Sequence, residues 1–292
     1  MKIFLTGGSG FIGMNIIELL GKKHEILAPT HAQLELTDDE AVKNFFDKNS
    51  FDVVIHSAVK AGHRNLKDCS NQLLNNLRMF FNIIRNDNKF KKMIFLSSGL
   101  GYDQRFYVPK MKEEYFGAHI PSDEGGFSKY VISRYIEKTD NIIELRPFGV
   151  FGKHEDYSIR FISNMICKAV FNLPLTIKQN RRFDYIYIDD LVNIIEHFLN
   201  NSGKHGTYNI TPDKSIALVD LARKVLKISG KDLPIKIAED SMGIEYSGDS
   251  SRLRHEIKRL KLTAIDDAVQ KLYKWYEEKA TMINRECLLF DK

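Results

Sequence analysis

The sequence predicts an α/β protein: an open, doubly wound parallel sheet followed by a smaller α/β lobe. Three observations carry this. Short apolar runs alternate with helix-period stretches through the first half, a glycine-rich loop follows the first run directly, and the alternation breaks after Pro147. A chain of 292 residues is long enough for both parts.

Residues 2–5, 25–28, 52–56, 92–97 and 141–146 read as strands, because they are short, apolar and bounded by turn residues. Between them, 10–20, 39–49, 71–86 and 127–138 carry apolar positions at helical spacing. Strand and helix in repeated alternation imply parallel pairing with right-handed crossovers and helices on both faces. Beyond Pro147 come a helical stretch at 159–171, a strand-helix pair at 183–199, a strand at 235–237 and a last helix near 265–279. Residues 1–150, with 183–203 returning to them, are thus expected to form the main domain, and 151–182 with 204–292 the smaller lobe. Ligands of open parallel sheets bind at the carboxyl ends of the strands, so the cleft between the two parts is the expected substrate site.

Composition narrows the classes. Hydrophobic residues at 43% and charged residues at 28%, with 7 prolines, suit a globular chain without low-complexity tails. No apolar run approaches the ~20 residues that a membrane span needs. Met1 to Leu5 leads straight into the glycine loop without a leader-like segment, so a cytoplasmic protein is expected. Cys69, Cys167 and Cys287 lie far apart with no ligand spacing; they read as ordinary thiols, and no metal is expected. The net charge of +5 is spread along amphipathic stretches, which fits a solvated surface rather than a nucleic-acid groove.

The loop Thr6-Gly7-Gly8-Ser9-Gly10-Phe11-Ile12-Gly13 ends the first strand and opens the first helix. In that setting each glycine has a mechanical reason: Gly7 for a tight turn, Gly10 for close approach of backbone amides to a pyrophosphate, Gly13 for helix-sheet contact. This is the Rossmann-type arrangement, and it predicts a bound dinucleotide.

On this loop and on further segments, the whole chain resembles the extended short-chain dehydrogenase/reductase family, the epimerases, dehydratases and reductases of nucleotide sugars. The supporting stretches are 34–38, 51–59, 146–152, 185–191 and 249–253, Asn76 six residues before Asn82, and a final helix with Trp275 and Tyr276. The resemblance implies a nicotinamide dinucleotide held by Gly7, Ser9, Gly10, Phe11, Ile12 and Gly13, then Thr30, His31, Glu35 and Leu36 on the adenosine side. It adds Ser57, Ala58, Val59, Asn76, Ser97, Lys129, Pro147 and Phe148 towards the nicotinamide. The second strand ends in Leu27-Ala28-Pro29-Thr30-His31, without the acid that would hold a ribose 2′-hydroxyl. NADP(H) is therefore favoured over NAD(H), with His31 read either as a phosphate contact or as a turn histidine.

In that family a tyrosine passes the proton, a lysine four residues later lowers the tyrosine pKa, and a serine or threonine orients the carbonyl. The resemblance places Ser98 as the hydroxyl and Lys129 as the lysine, and the tyrosine position is Gly125. Glycine has no proton to give. Tyr130 is turned about 100° from Lys129 around the helix and reads as a structural or nicotinamide-side residue. Tyr102, Tyr115, His154 or a water in the space of the missing ring remain as substitutes.

Epimerising reductases of the family carry an acid/base cysteine two residues after the hydroxyl, where this chain has Leu100; the dehydratase acids, too, are replaced by Gly99 and Leu100. Substrate contacts are expected from Ser98, Leu100, His154, Arg160, Arg181, Arg182 and Arg252, with Lys178 as a further cation, because guanidinium forks suit a diphosphate. The resemblance thus implies a nucleotide-diphosphate-sugar enzyme, expected to be a 4-keto-sugar reductase in surface-polysaccharide synthesis. The alternatives are an epimerase with tightly held NAD and a catalytically impaired dinucleotide-binding variant. Helices flanking the tyrosine region imply a homodimer.

Overall fold

The computed structural model describes residues 1–62 and 68–289. The first half runs β1 (Lys2–Thr6), α1 (Phe11–Leu20), β2 (Glu25–Leu27), α2 (Asp39–Asp47), β3 (Phe51–His56), α3 (Gln72–Ile84), β4 (Phe90–Leu96), α4 (Glu124–Ile136) and β5 (Ile142–Pro147). Next come β6 (Gly149–Phe151), α5 (Phe161–Val170), β7 (Leu175–Gln179), β8 (Arg182–Phe183), β9 (Tyr185–Tyr187) and α6 (Ile188–Asn200). Then follow β10 (Thr207–Ile210), β11 (Ile216–Ala217), α7 (Leu218–Ser229), β12 (Ile235–Glu239), α8 (Ser251–Glu256) and α9 (Ile265–Glu278).

The main sheet has the order β10-β5-β4-β3-β1-β2, and every pair in it is parallel. Its inner strands β1, β3, β4 and β5 are buried on both faces, as a parallel sheet covered by helices requires, while the edge strand β2 is largely exposed. Alternation sorts the side chains. Ile3, Leu5, Val53 and Ile55 join one core with α1, α5 and α6, while Phe4, Val54, Met93 and Phe95 join the other with α2, α3 and α4. In the second core Phe4 lies 4.8 Å from Phe45 and 5.5 Å from Phe46, centroid to centroid.

β10 is a sixth strand within the stretch that sequence pattern assigns to the smaller lobe, so the 204–292 segment is not all lobe. With four residues at the sheet edge it offers too little periodicity to be read beforehand. α4 also begins three residues earlier than its pattern suggests, because the Asp123 carboxylate caps it by accepting from Gly126 N at 2.7 Å.

The remaining strands form three two-stranded pairs beside the main sheet. β7 pairs with β12, β8 with β11 and β6 with β9, and α5 packs on α7 and α9. Asp190 on α6 ties the tail down by accepting from Thr263 N at 2.8 Å and from its hydroxyl at 3.0 Å. No helix among the described residues is long and apolar enough to cross a membrane.

Candidate active site

The glycine loop is built too tightly for side chains. Gly7 has φ +71°, and a Cβ there would stand 2.8 Å from Ala58 N on the neighbouring strand end. A Cβ at Gly13 would stand 2.1 Å from the Gly7 carbonyl oxygen. These contacts draw α1 against β1, and no side chain caps the helix start at Gly10. Its first amides are therefore free to meet an anion. A cavity of about 580 Å³ opens in front, lined by Gly7, Ser9, Gly10, Phe11, Ile12, His31, Glu35, Leu36, Ser57, Ala58 and Val59. Closely packed glycines, uncapped amides and a cavity of this size fit a dinucleotide.

A second cavity of about 630 Å³ shares Phe11, Ile12, Ser57, Val59 and Arg160 with the first. Asn76, Ser97, Ser98, Leu100, Gly125, Lys129, Pro147 and Phe148 line it. Three separate elements converge here. Ser98 follows β4 and turns its hydroxyl back to accept from Leu100 N at 3.2 Å. Lys129 comes from α4, while Pro147 and Phe148 end β5. Asn76 on α3 braces the rim, accepting from Lys60 N at 2.8 Å.

Beneath α4 lies a buried ionic layer. Arg146 Nη2 donates to Glu144 at 2.8 Å, and Ser133 donates to the same carboxylate at 2.5 Å. Arg146 also stacks 4.0 Å over the Phe116 ring. Burial opposes the Glu144 charge, but Arg146 and Ser133 outweigh it and hold its pKa below the usual carboxylate range. Burial lowers Lys129 to about 8, with Glu144 opposing the shift. His56, buried beside Thr6 at 2.7 Å, is driven down to about 3 by burial and stays neutral.

Several expected contacts lie elsewhere, because they already have local partners. Thr30 donates its amide and hydroxyl to Gln33, at 2.8 and 3.0 Å, and does not line the cavity. His154 pairs with Glu18 at 3.3 Å and meets Trp275 edge-on. Arg182 donates to the Ser215 carbonyl at 2.6 Å, and Arg252 to Glu114 at 2.5 Å. Arg181 sits over the Phe183 ring. None of these four lines either large cavity, and neither does Lys178, which lines a smaller one between α5 and β7; of the expected cations Arg160 alone does. Tyr102 is buried, its hydroxyl donating to Asn209 at 2.9 Å, and Tyr115 donates to the Phe106 carbonyl at 3.0 Å. Neither reaches the cleft. Gly13 backs the loop without lining it, and Tyr130 packs on Phe116 as a structural ring.

Sequence reading missed Gln72, Asp123, Glu155, Tyr185 and Tyr246, which also line the second cavity. Tyr185 stood within the 185–191 stretch already singled out, and beside His154 stood Glu155. Burial raises it to about 8, and it accepts from Ser163 at 2.6 Å.

Among the described residues no cluster of His, Cys, Asp and Glu is placed to hold a metal ion. Comparison with known proteins agrees with the cradle. A family model described as the NAD dependent epimerase/dehydratase family matches residues 3–211. GDP-L-colitose synthase of Yersinia pseudotuberculosis is 22% identical over 255 residues, covering 79% of this chain and 82% of that protein. GDP-L-fucose synthase of Azorhizobium caulinodans is 34% identical over 186 residues, covering 58% and 60%. A GDP-mannoheptose C4 reductase from Campylobacter jejuni, solved with NADP bound, has a TM-score of 0.82 at 21% identity, over 94% of this chain and 98% of that one. The chain therefore belongs to the NAD dependent epimerase/dehydratase family, as a nicotinamide-dependent nucleotide-sugar enzyme of the extended short-chain dehydrogenase/reductase type.

Proposed function

We propose that this enzyme is a reductase that uses NADPH to convert a 4-keto nucleotide sugar to the alcohol, in the synthesis of surface-polysaccharide sugars in the cytoplasm. One observation carries the reading: the side chain lining the cavity two residues beyond Ser98 is Leu100, which exchanges no proton beside a ketone. Epimerisation or dehydration at the neighbouring carbons needs an acid/base there. Similarity to GDP-sugar synthases and to a C4 reductase solved with NADP supports the same direction, and points to a guanosine diphosphate carrier.

The bound nicotinamide supplies the hydride. Ser98 orients the carbonyl through its hydroxyl, and Lys129 presents a positive charge to the same space. Arg160, at the junction of the two cavities, meets the sugar diphosphate. The apolar lining from Phe11, Ile12 and Phe148 keeps water from the reacting carbon. The α3 and α4 helices form the proposed contact between two copies.

The test is spectroscopic. With NADPH and a GDP-4-keto sugar the nicotinamide absorbance should fall in step with product. Interconversion of a 4-hydroxy sugar nucleotide with no net absorbance change would replace this reading by an epimerase. Turnover of any kind removes the impaired-variant reading.

A further inference from the structure

We propose that Lys129 is itself the general acid, giving its proton to the sugar oxygen through the space above Gly125. The proposal rests on the reductase reading and goes beyond it.

Gly125 and Lys129 are four residues apart on α4 and line the same cavity with Ser98. Helical side chains lean towards the N-terminus, so residue i+4 covers the turn that holds residue i. With glycine at 125, no ring stands between the lysine and the substrate space. A Cβ at 125 would meet nothing nearer than Gln72 Oε1 at 3.2 Å and Asp123 Oδ1 at 3.4 Å. Among the described residues no hydrogen bond or ion pair holds the Lys129 ammonium. A half-buried donor that no described side chain or backbone group holds, lining one cavity with Ser98, is what the missing tyrosine leaves behind. Burial brings it to about 8, close to the working range of a general acid.

The balance closes. The carbonyl carbon gains a hydride from the reduced nicotinamide, the π pair moves to oxygen, and that oxygen takes the proton as an N–H bond of Lys129 breaks. The neutral amine regains its proton from water.

Two titratable groups face Lys129 from the packed strands: Glu144 on β5 stays charged, and His56 on β3 stays neutral. Across the cavity stand Lys60, Asp123, Glu155, Arg160, Tyr185 and Tyr246. Burial pushes both tyrosines up, away from neutrality. Lys60 pairs with Asp68 at 2.9 Å, and Asp123 caps α4. Glu155, raised to about 8 by burial, shares the window, and its carboxyl is engaged by Ser163; Asp184, raised to about 7 by burial behind Tyr185 and Tyr246, is engaged by Thr211 and the Gly248 amide.

Two measurements decide the matter. The rate of reduction should fall as pH rises through about 8, in the parent and equally in Glu155→Gln. Lys129→Met should lose about 100-fold or more of the rate and show no such limb. A limb kept by Lys129→Met, or lost in Glu155→Gln, overturns the proposal. The second measurement needs no turnover. In Gly125→Tyr, checked for folding by circular dichroism, the new phenol should ionise at least about one unit below its ordinary value near 10, read as tyrosinate absorbance against the parent. It should return upward when Lys129→Met is added. A phenol that titrates at its ordinary value beside an intact Lys129 shows that the ammonium does not reach this space, and the proposal fails. If no keto sugar nucleotide is reduced at all, the reductase reading fails by itself, while this titration still decides where Lys129 points.

Discussion

Two walls of one cleft are built on opposite principles. The cofactor wall is held by backbone contact: Gly7 and Gly13 leave no room for a single methyl group. The proposed catalytic wall is held by charge, with Arg146 and Glu144 paired beneath α4, and there a Cβ at Gly125 would meet only the end of the Gln72 side chain, which can shift. The same residue type is thus a packing requirement on one side and a chemical omission on the other. What distinguishes them is the neighbouring atom, backbone oxygen at 2.1 Å for Gly13 against a side-chain tip at 3.2 Å for Gly125.

The largest effect should come from breaking the charged wall. Arg146→Ala leaves Glu144 buried without its cation, and a loss of about 3–5 kcal/mol in unfolding free energy is expected in denaturant titration. Burial alone would then raise the Glu144 pKa above its unfolded value, so the folded state would bind the extra proton. The loss should therefore shrink on acidification and grow as pH rises; a loss independent of pH would mean that Glu144 carries no charge in the parent.

The glycine wall comes next. Gly13→Ala must push α1 off the Gly7 carbonyl, with a cost of roughly 1–3 kcal/mol and weakened dinucleotide binding by calorimetry. Gly125→Ala should do the reverse. Its position is helical and its one tight neighbour, Gln72 Oε1 at 3.2 Å, is the end of a flexible side chain that can shift, so replacing glycine by alanine should stabilise by roughly 0.5–1 kcal/mol. Gly126 sharpens the contrast, because a Cβ there would stand 2.7 Å from the Leu100 carbonyl oxygen, and Gly126→Ala should destabilise. If Gly125→Ala and Gly126→Ala move the melting temperature in the same direction, the distinction between the walls is wrong.

The cofactor wall was legible because its residues are consecutive and each does a job that spacing reveals. Strand and helix periods located five of the six main-sheet strands for the same reason, while the four-residue β10 was too short to show one. The substrate side was not legible. Arg252 is paired with Glu114 across 138 positions and His154 with Glu18 across 136, and no local pattern announces such partners. Tyr246, Tyr185 and Gln72 reach the cavity from unrelated segments in which nothing but the folded chain gathers them. Gly125 stood out only against the family pattern, and its consequence, an ammonium that no described residue holds, needed the packing of α4.

The smallest effect tests the outer end of the cofactor wall, where the sequence argument for NADP(H) rested on a missing acid. His31 lines the adenosine cavity, but its ring pairs with Glu35 at 2.6 Å, and that carboxylate also accepts from the Thr37 amide at 2.8 Å and hydroxyl at 2.7 Å. The cavity therefore offers both an imidazole for a 2′-phosphate and an acid for a 2′-hydroxyl. His31 is highly exposed, so its contact is worth about 0.5–1 kcal/mol, a few-fold in affinity, and should fade in added salt. His31→Ala should weaken NADPH binding by that amount and leave NADH unchanged. Glu35→Gln should strengthen NADPH binding, since it removes a negative charge facing the phosphate. Weaker NADH binding in Glu35→Gln, with NADPH indifferent to both changes, would make Glu35 the ribose acid that β2 lacks and reverse the cofactor preference.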